Sequence, residues 1–477
     1  MRKILALILL IMMAFTFVAC SDYDGLMTDR ECAPGGGGGG FVSGDGSLSA
    51  KNKVVSGDVV YSEEISKDDE IEGVIEGEIE ENEEIRAGLI TAKAWNDNEN
   101  YAKWQKLFAE ATDNDPAGKF AYYTESHWGY DLSKRVKVTV TKGESPVVGA
   151  KVTYFDAAQN KWIVRTDVKG EAYLFPRDSE GTLTVVSGDE TATAAFSAEN
   201  RELTVDLSDA DAQINVIKLM FVIDATGSMG DEMYYLAREL TDVVTRVTEQ
   251  AKQVKIDLAL LFYRDFSDAQ EDQFIYSDFT TVSNEKGLQS QLAVLLKQEA
   301  GGGGDYPEAM AEALHLATGK DWGDGNSTNL MFLVLDAPPH DGQAQCAAYA
   351  AAVKEAAEKG VKICPILCSG ADTLCEYVCR SAAMLTGGTS VFITDDSGIG
   401  GEHLDPELPD ATVERLNDLL VRLIVGYHTG DFGTPVAWNE GQETESEIEA
   451  EHIHEGTTGE TGAEDSSDSD RGTSYKG

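Results

Sequence analysis

Five apolar runs, Val216 to Ile223, Ile256 to Phe262, Leu330 to Leu335, Val361 to Leu367 and Val391 to Ile393, dominate the second half of this chain. Between most of them lie stretches of helical period, Glu232 to Val254, Glu285 to Glu299, Glu308 to Thr318, Gln343 to Lys359 and Thr373 to Leu385, and a last one covers Ala411 to Tyr427. An apolar run without alternation belongs to a strand buried on both faces, which requires a parallel sheet covered by helices on each side. The expected fold over 214–430 is therefore α/β, a doubly wound, mostly parallel sheet. Such sheets bind ligands at the carboxyl ends of their strands.

The period changes over 133–209. Val136, Val138 and Val140 alternate, as do Val152 and Tyr154, and Gly143, Gly170, Gly181 and Gly188 interrupt them. A small antiparallel β-sandwich is expected there. Residues 86–132, with Trp95, Trp104, Phe108, Phe120 and Trp128, read as a helical, aromatic segment that packs as a satellite core.

The N-terminus reads as an address. Met1-Arg2-Lys3 precedes an apolar stretch from Ile4 to Val18, and Ala19-Cys20 closes it, the pattern of an export signal too short to span a bilayer as a permanent helix. It resembles a bacterial lipoprotein signal, which implies cleavage after 19, lipidation of Cys20 and a lipid anchor at the cell envelope as the one membrane contact. Residues 20–85 are a tether, rich in Gly and then in acid, with six glycines from Gly35 to Gly40. Residues 62–85 hold 12 acids and one lysine, and 439–477 hold 12 acids and two bases, so 431–477 is expected to be an acidic, disordered tail. With 84 acids against 38 Lys and Arg the net charge is −46, which argues against a nucleic-acid partner.

Export permits disulfides among Cys32, Cys346, Cys364, Cys368, Cys375 and Cys379. The paired spacing of the last four also allows a zinc site, and buried free thiols are the third possibility; the sequence assigns no pairing.

The first apolar run ends in Asp224-Ala-Thr226-Gly-Ser228-Met, directly before a helix, and the third ends in Asp336-Ala-Pro-Pro-His340. A carboxylate followed by hydroxyls at +2 and +4 suits a hard divalent cation, and a second strand delivers another acid to the same edge. Read singly, Thr226 or Ser228 could instead cap the helix and Asp336 could form a turn. The combination resembles the von Willebrand factor type A domain and its metal-ion-dependent adhesion site. That resemblance implies Asp224, Thr226, Ser228 and Asp336 as ligands of Mg²⁺, or of Mn²⁺ or Ca²⁺, with a protein partner completing the coordination. Where the family has a metal-binding Thr this chain reads Gly301-Gly-Gly-Gly304-Asp305-Tyr-Pro307-Glu308. Asp305 either replaces the Thr or opens a helix in a capping box with Glu308. Asp265 and Asp395 close other runs and are candidates for the ligand face or for ordinary turns, and His340 is a candidate for the ligand face or a solvated loop histidine. The segments Val147-Val-Gly-Ala-Lys-Val and Thr166-Asp-Val-Lys-Gly resemble the carboxypeptidase-regulatory-like or immunoglobulin-like spacers of bacterial surface proteins.

No H-E-x-x-H, G-x-S-x-G or G-x4-G-K-[ST] motif occurs. The reading is a non-enzymatic, exported lipoprotein that binds an unidentified protein through a metal site. Its rivals are an accessory factor or enzyme of envelope assembly, and an acidic structural protein with a vestigial site.

Overall fold

Unbroken apolar runs become the strands of one large sheet, and alternating ones become a sandwich. The computed structural model describes residues 53–55 and 86–439, apart from 109–118, 126, 127, 129, 209–213, 252, 324, 326 and 407. The export signal, Cys20, Cys32, most of the tether and the tail beyond 439 lie outside the described residues.

In chain order the strands are β1 (Lys53–Val55), β2 (Thr91–Trp95), β3 (Val136–Lys142), β4 (Ser145–Pro146), β5 (Lys151–Phe155), β6 (Lys161–Arg165), β7 (Glu171–Leu174), β8 (Gly181–Ser187), β9 (Glu190–Phe196) and β10 (Glu202–Asp206). They continue with β11 (Val216–Asp224), β12 (Lys255–Tyr263), β13 (Phe274–Ser277), β14 (Thr280–Thr281), β15 (Thr328–Leu335), β16 (Val361–Leu367), β17 (Ser390–Ile393) and β18 (Val413–Arg415). The α-helices are α1 (Tyr101–Lys106), α2 (Met233–Gln250), α3 (Gln270–Gln273), α4 (Glu285–Leu296), α5 (Met310–Thr318), α6 (Gln343–Lys359), α7 (Thr373–Thr386) and α8 (Leu416–Thr429).

The large sheet has the order β1-β13-β12-β11-β15-β16-β17-β2-β18, with β14 beside β12. Its centre, β12-β11-β15-β16-β17, is parallel throughout, and antiparallel pairs occur only toward its margins. Side chains alternate between two apolar cores. Phe221, Ile223, Phe332 and Val334 join α2 and α8 on one face, and Met220, Val222, Met331 and Leu333 join α5, α6 and α7 on the other. From β11 the chain moves to β12 on one side and returns later to β15 on the other. The crevice between the ends of β11 and β15 is thus the switch point at which ligands bind in such sheets.

Two features differ from the sequence expectation. Residues 86–132 are not only helical and aromatic: Thr91–Trp95 is a strand lying between β17 and β18, antiparallel to both. Trp104, Phe120 and Trp128 then pack into the core under α7, with Phe120 5.3 Å from the Tyr377 ring. In the sandwich, formed by sheets β10-β3-β4 with β7 on β3 and β6-β5-β8-β9, strands β3 and β10 run parallel rather than antiparallel. The chain leaves β9 in the second sheet and crosses to the edge of the first, which lets it run in the same direction as β3.

The cysteines take one of the three forms that the sequence left open. Cys346, Cys364, Cys368, Cys375 and Cys379 are buried thiols, and none of them forms a disulfide among the described residues. Cys364 and Cys368 face one core and Cys346, Cys375 and Cys379 the other, so the sheet separates the two sets and rules out the four-thiolate zinc site. No helix among the described residues is long and apolar enough to cross a membrane.

Candidate metal centre

Asp224 is the last residue of β11 and is fully buried. Its Oδ1 accepts the Thr226 backbone N–H at 2.9 Å and the Thr226 hydroxyl at 2.7 Å, and Oδ2 has no partner among the described residues. Thr226 occupies the cap position of a 3₁₀ turn over Gly227–Asp231, yet its side chain caps nothing. The hydroxyl points instead to Asp224 and lies 3.1 Å from Ser228 Oγ. The helix-cap alternative for Thr226 therefore fails, because no backbone N–H of the turn donates to its hydroxyl oxygen.

Asp336 immediately follows β15, is 2% exposed, and has an Oδ1 without a partner. The parallel register of β11 and β15, with Ile223 opposite Val334, brings both acids to one end of the sheet. Burial pushes Asp224 up to about 7, the Asp336 charge adding to it and the Thr226 donors working against it. Burial likewise pushes Asp336 up to about 6, with Ser228 beside it acting in the opposite sense.

A third buried acid lies nearby, across Gly303 from Thr226. Glu308 is 4% exposed, its Oε2 has no partner, and burial followed by the charges of Asp224, Asp265, Asp336 and Asp268 pushes it up to about 9. It is held by its backbone N–H, which donates to Pro338 O at 3.0 Å between Asp336 and His340. The sequence reading saw Glu308 only as part of a capping box. That box does not form: α5 begins at Met310, its cap is Ala309, and Asp305 is exposed.

Arg264 organises the surrounding backbone. Its guanidinium donates to Ala225 O, Gly301 O, Asp272 O and Glu299 O at 2.7 to 3.1 Å, tying the loop after β11 to the glycine loop. Among the described residues no Lys or Arg forms an ion pair with Asp224, Glu308 or Asp336.

The other predicted residues fall in two places. Asp265, Asp305 and His340 gather together, with His340 Nε2 2.6 Å from Asp265 Oδ1. Asp395 goes elsewhere: its Oδ1 accepts from His403 Nδ1 at 2.7 Å, and His403 Nε2 lies 2.6 Å from the buried Glu232. His403 and Glu232 carried no motif, and only the tertiary contact reveals them.

Buried carboxylates with orphaned oxygens and no basic neighbour repel one another unless a cation or protons intervene. Three carboxylates and two hydroxyls are hard oxygen donors, and they fit Mg²⁺, Mn²⁺ or Ca²⁺.

Residues 218–375 match the von Willebrand factor A domain. The matched stretch carries Asp224, Thr226, Ser228, Asp265, Asp305, Glu308, Asp336 and His340, and the sheet has the von Willebrand A-like arrangement. Among solved structures, the pilus adhesin SpaC from Lactobacillus rhamnosus GG in its open conformation is 10% identical, over 53% of this chain and 32% of that one, with a TM-score of 0.32. A second form of SpaC is 11% identical over 44% and 33%, with a TM-score of 0.27. The conserved hypothetical protein BatB from Bacteroides thetaiotaomicron is 14% identical over 51% of this chain and 100% of that one, at 0.24. The match thus spans about a third of the length of the adhesin. No curated protein matches the chain.

Proposed function

We propose that this protein is a non-enzymatic binding protein whose von Willebrand A-like domain holds a divalent cation and engages a protein partner across it. One observation carries the reading: Asp224 and Asp336 at the switch point of a parallel sheet, and Glu308 in the glycine loop, each bury a carboxylate oxygen that has no partner among the described residues. Asp224, Thr226, Ser228, Glu308 and Asp336 would hold the ion. When bound, the cation supplies a coordination position for an oxygen of the partner. The residues of this chain prepare that position: Thr226 orients Asp224, Arg264 fixes the two loops, and the Pro338 carbonyl fixes Glu308.

The export pattern ending at Cys20 supports placing the domain outside the cytoplasm on a lipid anchor, with the sandwich as a spacer and the acidic segments as solvated arms. Incorporation of labelled palmitate that disappears in Cys20→Ala tests the anchor. Titration calorimetry of the EDTA-stripped protein with Mg²⁺, Mn²⁺ and Ca²⁺ tests the site. Uptake of one ion, lost in Asp224→Ala, is expected; no uptake of any of the three would remove the proposal. Partner capture is then compared with Mg²⁺ and with EDTA, and capture indifferent to both chelation and Asp224→Ala discards the metal-bridged mechanism.

A further inference from the structure

Beside the first centre lies a second constellation of different chemistry. One oxygen of Asp265, one of Asp305 and one ring nitrogen of His340 all lie within 4.8 Å of one another. They come from three separate places in the chain: the end of β12, the glycine loop, and the turn after β15. Asp265 is nearly inaccessible, its side chain 4% exposed, whereas His340 is partly exposed and Asp305 exposed, so the group opens to solvent on one side only.

Contacts independent of these side chains hold the three loops in register. Asp268 Oδ2 accepts the backbone N–H of Asp265 at 3.1 Å and that of Gly303 at 2.9 Å, which clamps the β12 loop to the glycine loop. The glycine loop is in turn bridged to the His340 turn, through Glu308 N–H to Pro338 O at 3.0 Å and an isolated parallel bridge from Glu308 to Pro339. The His340 ring leans on Phe266, 5.3 Å between centroids, which limits its rotation.

Charge supplies a separate observation. Among the described residues no Lys or Arg forms an ion pair with Asp265, Asp268, Asp305 or Glu312. Oε2 of Glu312 is buried without a partner, and His340 and Asp265 are among the charges acting on that side chain. Glu308, from the same glycine loop, is also buried with an oxygen that has no partner among the described residues. A single cation at the first centre leaves this excess of carboxylate uncompensated.

We propose a second cation position, held by Asp265, Asp305 and His340, that takes a borderline ion such as Zn²⁺ in preference to Mg²⁺. An imidazole nitrogen with two carboxylates suits Zn²⁺, whereas Mg²⁺ demands oxygen ligands and octahedral geometry. Three protein ligands leave one tetrahedral position for water or for a group of the partner. In the metal-free protein the Asp265–His340 hydrogen bond occupies the place of the ion, and small side-chain rotations replace the shared proton by the metal. The position differs from the first centre in both residues and ion class, so each stands or falls alone.

The test uses Co²⁺ as a coloured stand-in for Zn²⁺ on the EDTA-stripped full chain. Wild type and Asp224→Ala should both develop tetrahedral visible bands, bleached by Zn²⁺ and untouched by excess Mg²⁺. His340→Gln should lose those bands and take up one Co²⁺ fewer, and Asp305→Asn, at an exposed position, should weaken binding by at least about 10-fold, the smallest cost of losing even an outer-shell partner. Mg²⁺ titration of His340→Gln should remain as in wild type, which keeps failure here separate from failure at the first centre. The proposal is overturned if His340→Gln and Asp305→Asn bind Co²⁺ like wild type, if Asp224→Ala abolishes the bands, or if thiolate charge-transfer bands show that a cysteine holds the metal.

Discussion

A Cβ placed on Gly303 would lie 3.1 Å from Oε1 of Glu308 and 3.3 Å from Cβ of Thr226, so the glycine loop packs tightly against these two candidate ligands. Gly303 also has φ +80°, where an L-residue costs about 1–2 kcal/mol. Gly303→Ala should therefore lower the unfolding free energy by about that amount and displace Glu308. Thermal denaturation measures the first effect and Mg²⁺ titration the second. An unchanged cation affinity counts against Glu308 as a ligand.

Asp224→Asn keeps an oxygen that can accept from Thr226 but removes a buried charge that has no basic partner. The metal-free variant should be at least as stable as wild type at pH 8, because burying an unpaired charge is costly. Stabilisation by added Mg²⁺, about 2.7 kcal/mol in wild type at a concentration 100 times Kd, should vanish. Scanning calorimetry with and without the ion measures both effects. Metal-free stability that drops sharply instead would mean that the carboxylate is needed for the fold itself.

The pH dependence has a definite sign. Asp336, Asp224 and Glu308 stand at about 6, about 7 and about 9 in the folded chain, against ordinary values of 3.8, 3.8 and 4.5. Between the ordinary and the raised values the folded state holds more protons than the unfolded one, so stability falls as pH rises. The EDTA-stripped protein should accordingly melt at progressively lower temperature from pH 5 to pH 9. Divalent cation should bind more tightly over the same range and release protons on binding. A melting temperature that climbs with pH in EDTA would mean that these acids are not crowded together.

The N-terminal segment is joined to the α/β body by a buried ion group. Arg380 donates to Asp97 at 2.6 and 2.8 Å and to Glu376 at 2.7 Å, and all three are nearly inaccessible. Arg380→Met leaves the buried Asp97 without a basic partner, whereas Glu376 keeps Lys119, and should cost about 3–5 kcal/mol in urea denaturation. Adding Asp97→Asn should recover part of that loss. Equal stability of Arg380→Met and wild type would show that Asp97 is hydrated rather than held.

Much of the fold was legible because the signals are local. Apolar runs such as Leu330 to Leu335 admit few partners other than a sheet covered on both faces, and their ends expose Asp224 and Asp336 directly. Thr91–Trp95 was not legible as a strand: Thr-Ala-Lys-Ala-Trp is short and of mixed character, and its pairing is set by β17 and β18, some 300 residues away. The cysteine outcome was equally hidden, since spacing does not reveal that a sheet stands between Cys368 and Cys375.

The amino-acid order alone determined the fold class and which strands carry an acid at their carboxyl end, because period and strand termini are properties of neighbouring residues. Only the tertiary structure decided that Glu308 is buried beside Gly303 and Thr226, that Asp305 gathers with Asp265 and His340, and that Asp395 pairs with His403. Those choices depend on sheet order and loop clamps between distant segments, and on how much water each carboxylate loses when the segments meet.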